Sequence, residues 1–171
     1  QIDEVIITSQ ESALRIIDKI GPLNNPADRD HCIQYMTAIG LLRGTLTAED
    51  YEDEAAADPR VDQLRDKMTM KHDRRFTEDY IDPNKRSIAN AVQVRFKDGS
   101  STENITVEYP IGHRRRRQAA KPLLVDKFRA NLSTQLDEVR VGGLVNLFSD
   151  QSTLGLMAVD ELIDMLVLTV D

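Results

Sequence analysis

Two segments of the chain alternate apolar and polar residues with a period of two. In residues 92–96, and again in residues 105–109, every second position carries a β-branched or aromatic side chain. This period is typical of a strand with one buried face. Asp98-Gly99 lies between the two segments and is a dipeptide that favours tight turns. The pattern predicts a β-hairpin that ends at Pro110, because proline has no N–H to donate to a sheet.

An apolar run near the start of the chain predicts another strand. Val5-Ile6-Ile7-Thr8 is a β-branched run of the kind found in buried strands. Ser9 then offers a side-chain oxygen as the N-cap of a short helix that Gly21-Pro22 would end. The apolar side of this helix would consist of Ala13, Ile16 and Ile17.

A longer helical pattern follows. From about Ala27 to Arg43, apolar residues recur every three or four positions, and Gly44 follows as a left-handed C-cap. We therefore predict one continuous helix over this range. Within it, His31 and Tyr35 are four residues apart, a spacing that places both on one helical face. The apolar stripe would comprise Cys32, Tyr35, Met36, Ile39 and Leu42.

The remaining elements are indicated by shorter signals. Thr47 and Asp50 have the spacing of a capping box, and Asp58-Pro59 is typical of a helix start. A strand is predicted to begin within residues 67–71, and residues 76–82 are predicted to form a loop. Three later helices are predicted over residues 121–132, about 135–148 and about 157–168. In the first of these helices the inward side chains would be Leu124, Val125, Phe128 and Leu132. A small sheet with a hairpin, flanked by helices and followed by C-terminal helices, indicates the α+β class.

Length and composition limit the class of protein. The chain has 171 residues, enough for one domain or for one domain and an extension. Its 40% apolar and 30% charged residues suit a soluble protein with a core, and no apolar run is long enough to span a membrane. The single Cys32 excludes an internal disulfide and fits a reducing compartment. Since the chain starts at Gln1 rather than methionine, we expect it to begin within a longer protein.

The charge of the chain argues against one class of partner. A net charge of −7 is not that of a general nucleic-acid-binding protein. The run His113-Arg114-Arg115-Arg116-Arg117 is the exception within this acidic chain. A solvated loop is the simplest interpretation of the run, and a nuclear-import or phosphate-binding patch is another.

Arg29, His31 and Tyr35 form the candidate site. A cation, an imidazole and a phenol close together can bind and deprotonate a substrate that carries carboxylates. Packing within the helix is the simpler explanation of a His-x-x-x-Tyr pair, and it stays open at this point. The three histidines lack metal-ligand spacing and no glycine-rich phosphate loop occurs, so neither a metal nor a cofactor is predicted.

Several motifs resemble one known family. They are Leu23–Met36, Asp58–Val61, Asp82–Ala91, Val107–His113 and Leu124–Phe128. In these motifs, which cover about residues 2–132, the chain resembles the dehydratase branch of the MmgE/PrpD family. Family members are several hundred residues long, and the chain resembles only their C-terminal part.

The resemblance implies how the protein is organised. Family members have a large helical domain and a smaller α+β lid, with the active site in the cleft between them. Residues 1–120 would form the lid, and residues 121–171 a helical segment that packs on the helical domain missing from this chain. The implied enzyme is an intracellular homodimer, cytoplasmic in a bacterium and located in the mitochondrial matrix in a eukaryote.

The resemblance also implies a reaction. This reaction is the loss of water from 2-methylcitrate, a small tricarboxylate, to give a methyl-aconitate in propionate breakdown, without a cofactor. Tyr35 and His31 would take part in catalysis, and Arg29, His113 and Arg114 would bind the substrate. The arginine run thereby gains a third interpretation, as a group that binds the tricarboxylate or a partner subunit. Since most polar catalytic groups would lie upstream, we expect the isolated chain to be inactive.

Two alternatives remain open. Relatives within the same family decarboxylate cis-aconitate or epimerise iminodisuccinate, but the segment Arg29–Tyr35 favours the dehydratase branch. A free-standing, non-catalytic binding domain that keeps only the lid is the other alternative. The length of the intact protein separates this alternative from the enzyme.

Overall fold

The computed structural model describes residues 1–168. The chain divides into two compact units, Gln1–Pro110 and Ile111–Asp171. The first unit contains β1 (Ile2–Ser9), α1 (Glu11–Ile16), α2 (Pro26–Asp30), α3 (Ile33–Arg43), a 3-10 turn (Ala48–Tyr51), α4 (Asp53–Ala56), α5 (Pro59–Arg65), β2 (Met68–His72), α6 (Arg74–Ile81), β3 (Asn90–Phe96) and β4 (Ile105–Val107). The second unit contains a 3-10 turn (Arg114–Arg116), α7 (Arg117–Leu132), α8 (Glu138–Ser149), α9 (Gln151–Leu156) and α10 (Val159–Leu166). The α+β class predicted from the sequence is confirmed.

The division between the units lies at Pro110, where the hairpin was predicted to end. The boundary inferred from the family resemblance, between residues 120 and 121, falls inside α7. The assignment of the first unit as a lid over a separate helical domain stays a prediction.

The first unit is built on a four-stranded sheet with the order β2-β1-β3-β4. β1 is an inner strand of the sheet, parallel to β2 and antiparallel to β3. The predicted strand over residues 5–8 and the strand predicted to begin within residues 67–71 are confirmed as parts of β1 and β2. The β-branched run in β1 explains this position, since β1 has a paired strand on both sides.

The predicted hairpin is also confirmed, in a shorter form. β3 and β4 pair antiparallel from Asn90 opposite Val107 to Val92 opposite Ile105. Gly99 adopts a φ of 85° in the connection, a conformation that a residue with a Cβ rarely adopts. β4 ends at Val107, before the predicted end at residue 109.

α3 lies between two parts of the core. On its sheet-facing side, Ile33 packs with Val5, Ile7 and Val94 from neighbouring strands. A second cluster combines three buried residues of α3 and its N-cap residue with one residue of α5; its buried members are Cys32, Tyr35, Ala38, Ile39 and Val61. Because such residues are removed almost completely from water, each large one contributes about 2 kcal/mol to folding by the hydrophobic effect.

Three local predictions in the first unit, outside the candidate site, are wrong. Ser9 is the last residue of β1 rather than a helix N-cap, and Gln10 takes the N-cap position of α1 without a side-chain capping hydrogen bond. Ile16 is 62% exposed rather than inward. Residues 76–81 are helical rather than a loop, because the Asp73 carboxylate caps α6 by accepting from the N–H groups of the next helical turn.

The second unit is helical. The three helices predicted over residues 121–132, 135–148 and 157–168 correspond to α7, α8 and α10, while α9 was not predicted. Asp150 explains α9: its carboxylate accepts from the backbone N–H groups of Ser152 and Thr153 and so starts a new helix after α8. The Arg140 guanidinium donates to the carbonyl oxygens of Met165 at 2.8 Å and Val167 at 2.7 Å, and thereby fixes α10 to α8.

Apolar side chains remain exposed across the second unit. The prediction that Leu124 and Val125 face inward is wrong, since Leu124 is 57% exposed. Several residues of α9 and α10 are exposed as well, among them Leu156, Val159, Ile163 and Leu166. Large apolar side chains exposed in such number are typical of a surface that another protein surface covers. Within residues 1–168, no helix combines the length and the apolar character needed to cross a membrane.

Candidate functional site

The candidate site lies where the predicted helix over residues 27–43 is broken. Asn25 caps α2 by accepting from the Asp28 N–H at 2.9 Å, and α2 ends at Asp30. Cys32 is extended, with φ −127° and ψ 107°, and α3 begins only at Ile33. His31 therefore lies in the turn between two helices, and the prediction that His31 and Tyr35 share one helical face is wrong.

A tertiary hydrogen bond accounts for the break. The N–H of Ile33 donates to the carbonyl oxygen of Ile17 at 2.9 Å, outside the helical ladder. The N–H of Cys32 donates to the carbonyl oxygen of Arg29 at 3.2 Å. These bonds satisfy backbone donors that a continuous helix would have used internally, so the chain can turn at His31 without leaving them unpaired.

Tyr35 is buried, and its hydroxyl is occupied. The phenol O–H donates to the backbone carbonyl of Asp50 at 2.6 Å, and the ring stacks on Tyr51 with centroids 6.2 Å apart. Burial raises the pKa of Tyr35 above its ordinary value, although the positive charges of Arg29 and Arg43 partly offset this effect. A protonated, internally bonded phenol suits a structural role.

Arg29 is also buried and bonded within the first unit. Its guanidinium donates to the Tyr51 carbonyl oxygen at 2.7 Å and to Asp53 Oδ1 at 2.7 Å. The Nε of Arg29 is buried and has no hydrogen-bond partner among the described residues. The two bonds tie α2 to the segment around α4. Binding a substrate carboxylate would require Arg29 to exchange these partners.

Asp50 joins this network from the 3-10 turn. The predicted capping box is confirmed: the Asp50 carboxylate accepts from the Thr47 N–H at 2.7 Å. The Arg43 guanidinium also donates to the Asp50 carboxylate. The Thr47 N–H is the main cause of the lowered pKa of Asp50, and the charge and hydrogen bond of Arg43 lower it further. The network therefore connects α3, the turn and α2 through buried polar groups.

His31 differs from these buried groups. Its side chain is 59% exposed, and its Nδ1 makes a hydrogen bond with the Asp30 carboxylate. No other hydrogen bond of the ring is found within residues 1–168. Of the three residues predicted in this segment, His31 is thus the one whose reactive atoms are accessible.

His113 and Arg114 belong to the second unit. His113 caps the 3-10 turn Arg114–Arg116, and its Nδ1 accepts from the Arg115 N–H at 3.2 Å. The predicted site residues therefore fall into one group of three in the first unit and one pair in the second. In residues 1–168, no cluster of three or more His, Cys, Asp or Glu side chains is arranged to hold a metal ion.

Two residues of the site, Asp50 and Asp30, were not predicted from the sequence to belong to it. Asp50 was identified as a helix cap, but nothing in the local sequence shows that its carbonyl accepts from Tyr35. Asp30 was not singled out, although it directly precedes His31 and carries an acceptor of the right type. An Asp-His pair next to a helix end was the signal that could have revealed it.

The comparison with known families identifies the class of protein. The model for the MmgE/PrpD C-terminal domain matches residues 1–149. The chain belongs to the MmgE/PrpD family. The resemblance found in the sequence is thereby confirmed.

Individual relatives share much of the sequence. The chain is 53% identical to the 2-methylcitrate dehydratase of Escherichia coli (strain K12) over 167 residues, 98% of the chain and 35% of that protein. It is 52% identical to the 2-methylcitrate dehydratase of Cupriavidus necator over 164 residues, 96% of the chain and 34% of the relative. With the mitochondrial 2-methylcitrate dehydratase of Yarrowia lipolytica it shares 49% over 166 residues, 97% of the chain and 32% of the relative. The chain spans about a third of the length of these curated relatives.

Proposed function

We propose that the chain is the C-terminal portion of a 2-methylcitrate dehydratase, a carbon–oxygen lyase of propionate breakdown. The observation that carries the proposal is the 53% identity to a protein of that name over 98% of the chain. The identity extends over both units, so neither unit is a later addition of unrelated sequence. The substrate would be a small tricarboxylate, and the intact enzyme a homodimer.

The reaction defines what the protein must supply. A base removes a proton from carbon, and the electron pair of the C–H bond forms the new double bond. The C–O bond breaks on the neighbouring carbon, and the departing hydroxyl takes a proton from an acid and leaves as water. Cationic groups lower the barrier by neutralising the carboxylates beside the reacting carbon.

His31 is the residue of the first unit best suited to move a proton. Its imidazole is exposed at a turn whose backbone is held by hydrogen bonds on both sides. An imidazole ring nitrogen can accept a proton, whereas burial raises the pKa of Tyr35 and its O–H is already bonded to the Asp50 carbonyl. Arg29 and Tyr35 then act as positioning residues, which hold α2 and α3 around the turn. His113 and Arg114 are proposed to bind substrate carboxylates.

The second unit has a different role in the proposal. Its exposed apolar residues on α9 and α10 would pack against the helical domain formed by the upstream part of the intact protein. The length of the relatives supports this role, since about two thirds of each lies outside the region matched by this chain.

The test compares the intact protein with this chain. The intact protein should dehydrate 2-methylcitrate, followed by the absorbance of the new double bond, while the 171-residue chain should show no turnover. In the intact protein His31→Gln should lower kcat about a hundredfold. His72→Gln, which removes a histidine of β2 outside the proposed site, should leave kcat unchanged. Turnover by the chain alone, or decarboxylation of cis-aconitate by the intact protein in place of dehydration, would contradict the proposal.

A further inference from the structure

We propose that Asp30 is a positioning residue that holds the neutral His31 imidazole with its proton on Nδ1 and leaves the Nε2 lone pair free to accept a proton. This inference rests on the proposed function, which gives His31 its part in proton transfer. It adds a residue and a specific protonation pattern that the sequence similarity does not provide.

Asp30 and His31 are in direct contact. The Asp30 carboxylate lies against Nδ1 of His31, at the point where α2 gives way to the turn. An ionised carboxylate has no proton and can only accept a hydrogen bond. The Nδ1 of His31 must therefore be the donor. Because a neutral imidazole carries one N–H, its Nε2 is then unprotonated and can accept a proton.

Hydrogen bonds fix the chain on both sides of Asp30 and His31. On one side, the buried Arg29 is bonded to the Tyr51 carbonyl and to Asp53. On the other side, the N–H of Ile33 is bonded to the Ile17 carbonyl. Asp30 and His31 lie between these anchors, so their backbone does not need to reorganise for the side chains to meet. A base that is oriented in advance loses less entropy when it meets its substrate.

His113 differs from His31 in how its Nδ1 is bonded. His113 uses the same ring nitrogen in the opposite sense, since its Nδ1 accepts from the Arg115 N–H. When neutral, His113 must carry its proton on Nε2. The structure therefore assigns different tautomers to His31 and His113, and the two can be compared in one sample.

The first experiment measures the tautomers directly. The 171-residue chain is labelled with ¹⁵N-histidine and studied by long-range ¹H–¹⁵N correlation in mildly alkaline solution. The signals are assigned with His31→Gln and His113→Gln variants. We expect His31 to be protonated on Nδ1 and His113 on Nε2.

A variant then tests the cause. Asp30→Asn replaces an obligate acceptor with a side chain that can also donate, so the His31 signal should move toward the Nε2-protonated form. Asp66→Asn removes another exposed carboxylate, one at the end of α5, and should leave the His31 tautomer unchanged. A wild-type His31 protonated on Nε2, or a His31 tautomer that Asp30→Asn does not change, would overturn the proposal.

The second experiment measures the effect in the intact enzyme. Asp30→Asn should lower kcat about tenfold or more and leave KM nearly unchanged, because the imidazole is misoriented while substrate contacts remain. Asp30→Glu should restore part of kcat, and Asp66→Asn should match the wild type. An unchanged kcat in Asp30→Asn, in an enzyme that His31→Gln inactivates, would also overturn the proposal.

The two experiments separate this inference from the proposed function. If the tautomers are as expected but His31→Gln retains full activity, the catalytic part of the proposed function fails while the pairing of Asp30 and His31 holds. If His31→Gln is inactive and the tautomer does not depend on Asp30, the proposed function holds and this inference fails.

Discussion

The two units of the chain bury their apolar residues to very different degrees. In the first unit, Ile39 and Val61 of the core cluster are almost completely buried. Polar residues such as Arg29 and Asp50 are buried in the same unit. In the second unit, apolar residues of comparable size lie on the surface; Leu156 is 89% exposed. Both units come from one sequence with similar helical periodicity. Periodicity therefore marks the apolar face of a helix without showing what covers that face.

The largest expected effect tests the difference in burial directly. Ile39→Ala should lower the free energy of unfolding by about 3 kcal/mol, because it leaves a cavity beside a fully buried side chain. Leu156→Ala should change it by less than about 0.5 kcal/mol, because the side chain is already in water. Urea denaturation of the two variants makes the measurement. If Leu156→Ala lowers the free energy of unfolding as much as Ile39→Ala does, the Leu156 side chain is buried and the contrast between the two units does not hold.

Tyr35→Phe should have a smaller effect on stability. The variant leaves the Asp50 carbonyl without the phenol donor inside a buried network, at a cost of about 1–2 kcal/mol. If Tyr35 is a positioning residue, kcat of the intact enzyme should fall less than tenfold. Thermal unfolding and steady-state kinetics on the same variant separate the roles. A fall in kcat of a hundredfold or more, with an unchanged melting temperature, would instead place the phenol in proton transfer.

The smallest effect concerns acid stability in the second unit. Hydrogen bonds from Ser152, and to a smaller extent from Thr153, lower the pKa of Asp150 to about 2. The ordinary value for an aspartate in an unfolded chain is about 4. A lowered folded-state pKa adds stability above the unfolded-state pKa, and this stability is lost as the pH falls through the folded-state value. Asp150→Asn should therefore reduce the pH dependence of α9 helicity between about pH 4 and pH 2. Circular dichroism during acid titration tests this expectation, with the exposed Asp160→Asn as the control.

The sequence was sufficient for features that depend on local chemistry. The hairpin followed from a period of two and from Asp98-Gly99, whose glycine does adopt a positive φ. The capping box at Thr47 and the helix start at Asp58 were found because a short polar side chain satisfies nearby N–H groups. In the capping box and the helix start, the interacting groups are within four residues of one another.

Features set by distant contacts could not be predicted. The pattern over residues 27–43 is helical throughout. The break at Cys32 depends on the hydrogen bond from the Ile33 N–H to the Ile17 carbonyl, a contact that the local pattern does not show. The buried state of Arg29 likewise depends on partners more than twenty residues away, at Tyr51 and Asp53. As a result, the sequence named the segment that holds the candidate site, but it assigned the wrong geometry to its histidine.

The parallel pairing of β1 with β2 has a consequence for how the protein folds. Every residue of the first-unit site lies in the crossover between Ser9 and Met68, the ends that this pairing brings into one sheet. Closing so long a crossover costs chain entropy before any long-range contact compensates for it, and folds dominated by such contacts form slowly. The bonds that fix the turn at His31 go to Ile17, Tyr51 and Asp53, which all lie within this crossover. The local network around the site can therefore form before the parallel pairing closes, and the pairing of β1 with β2 should be the later step.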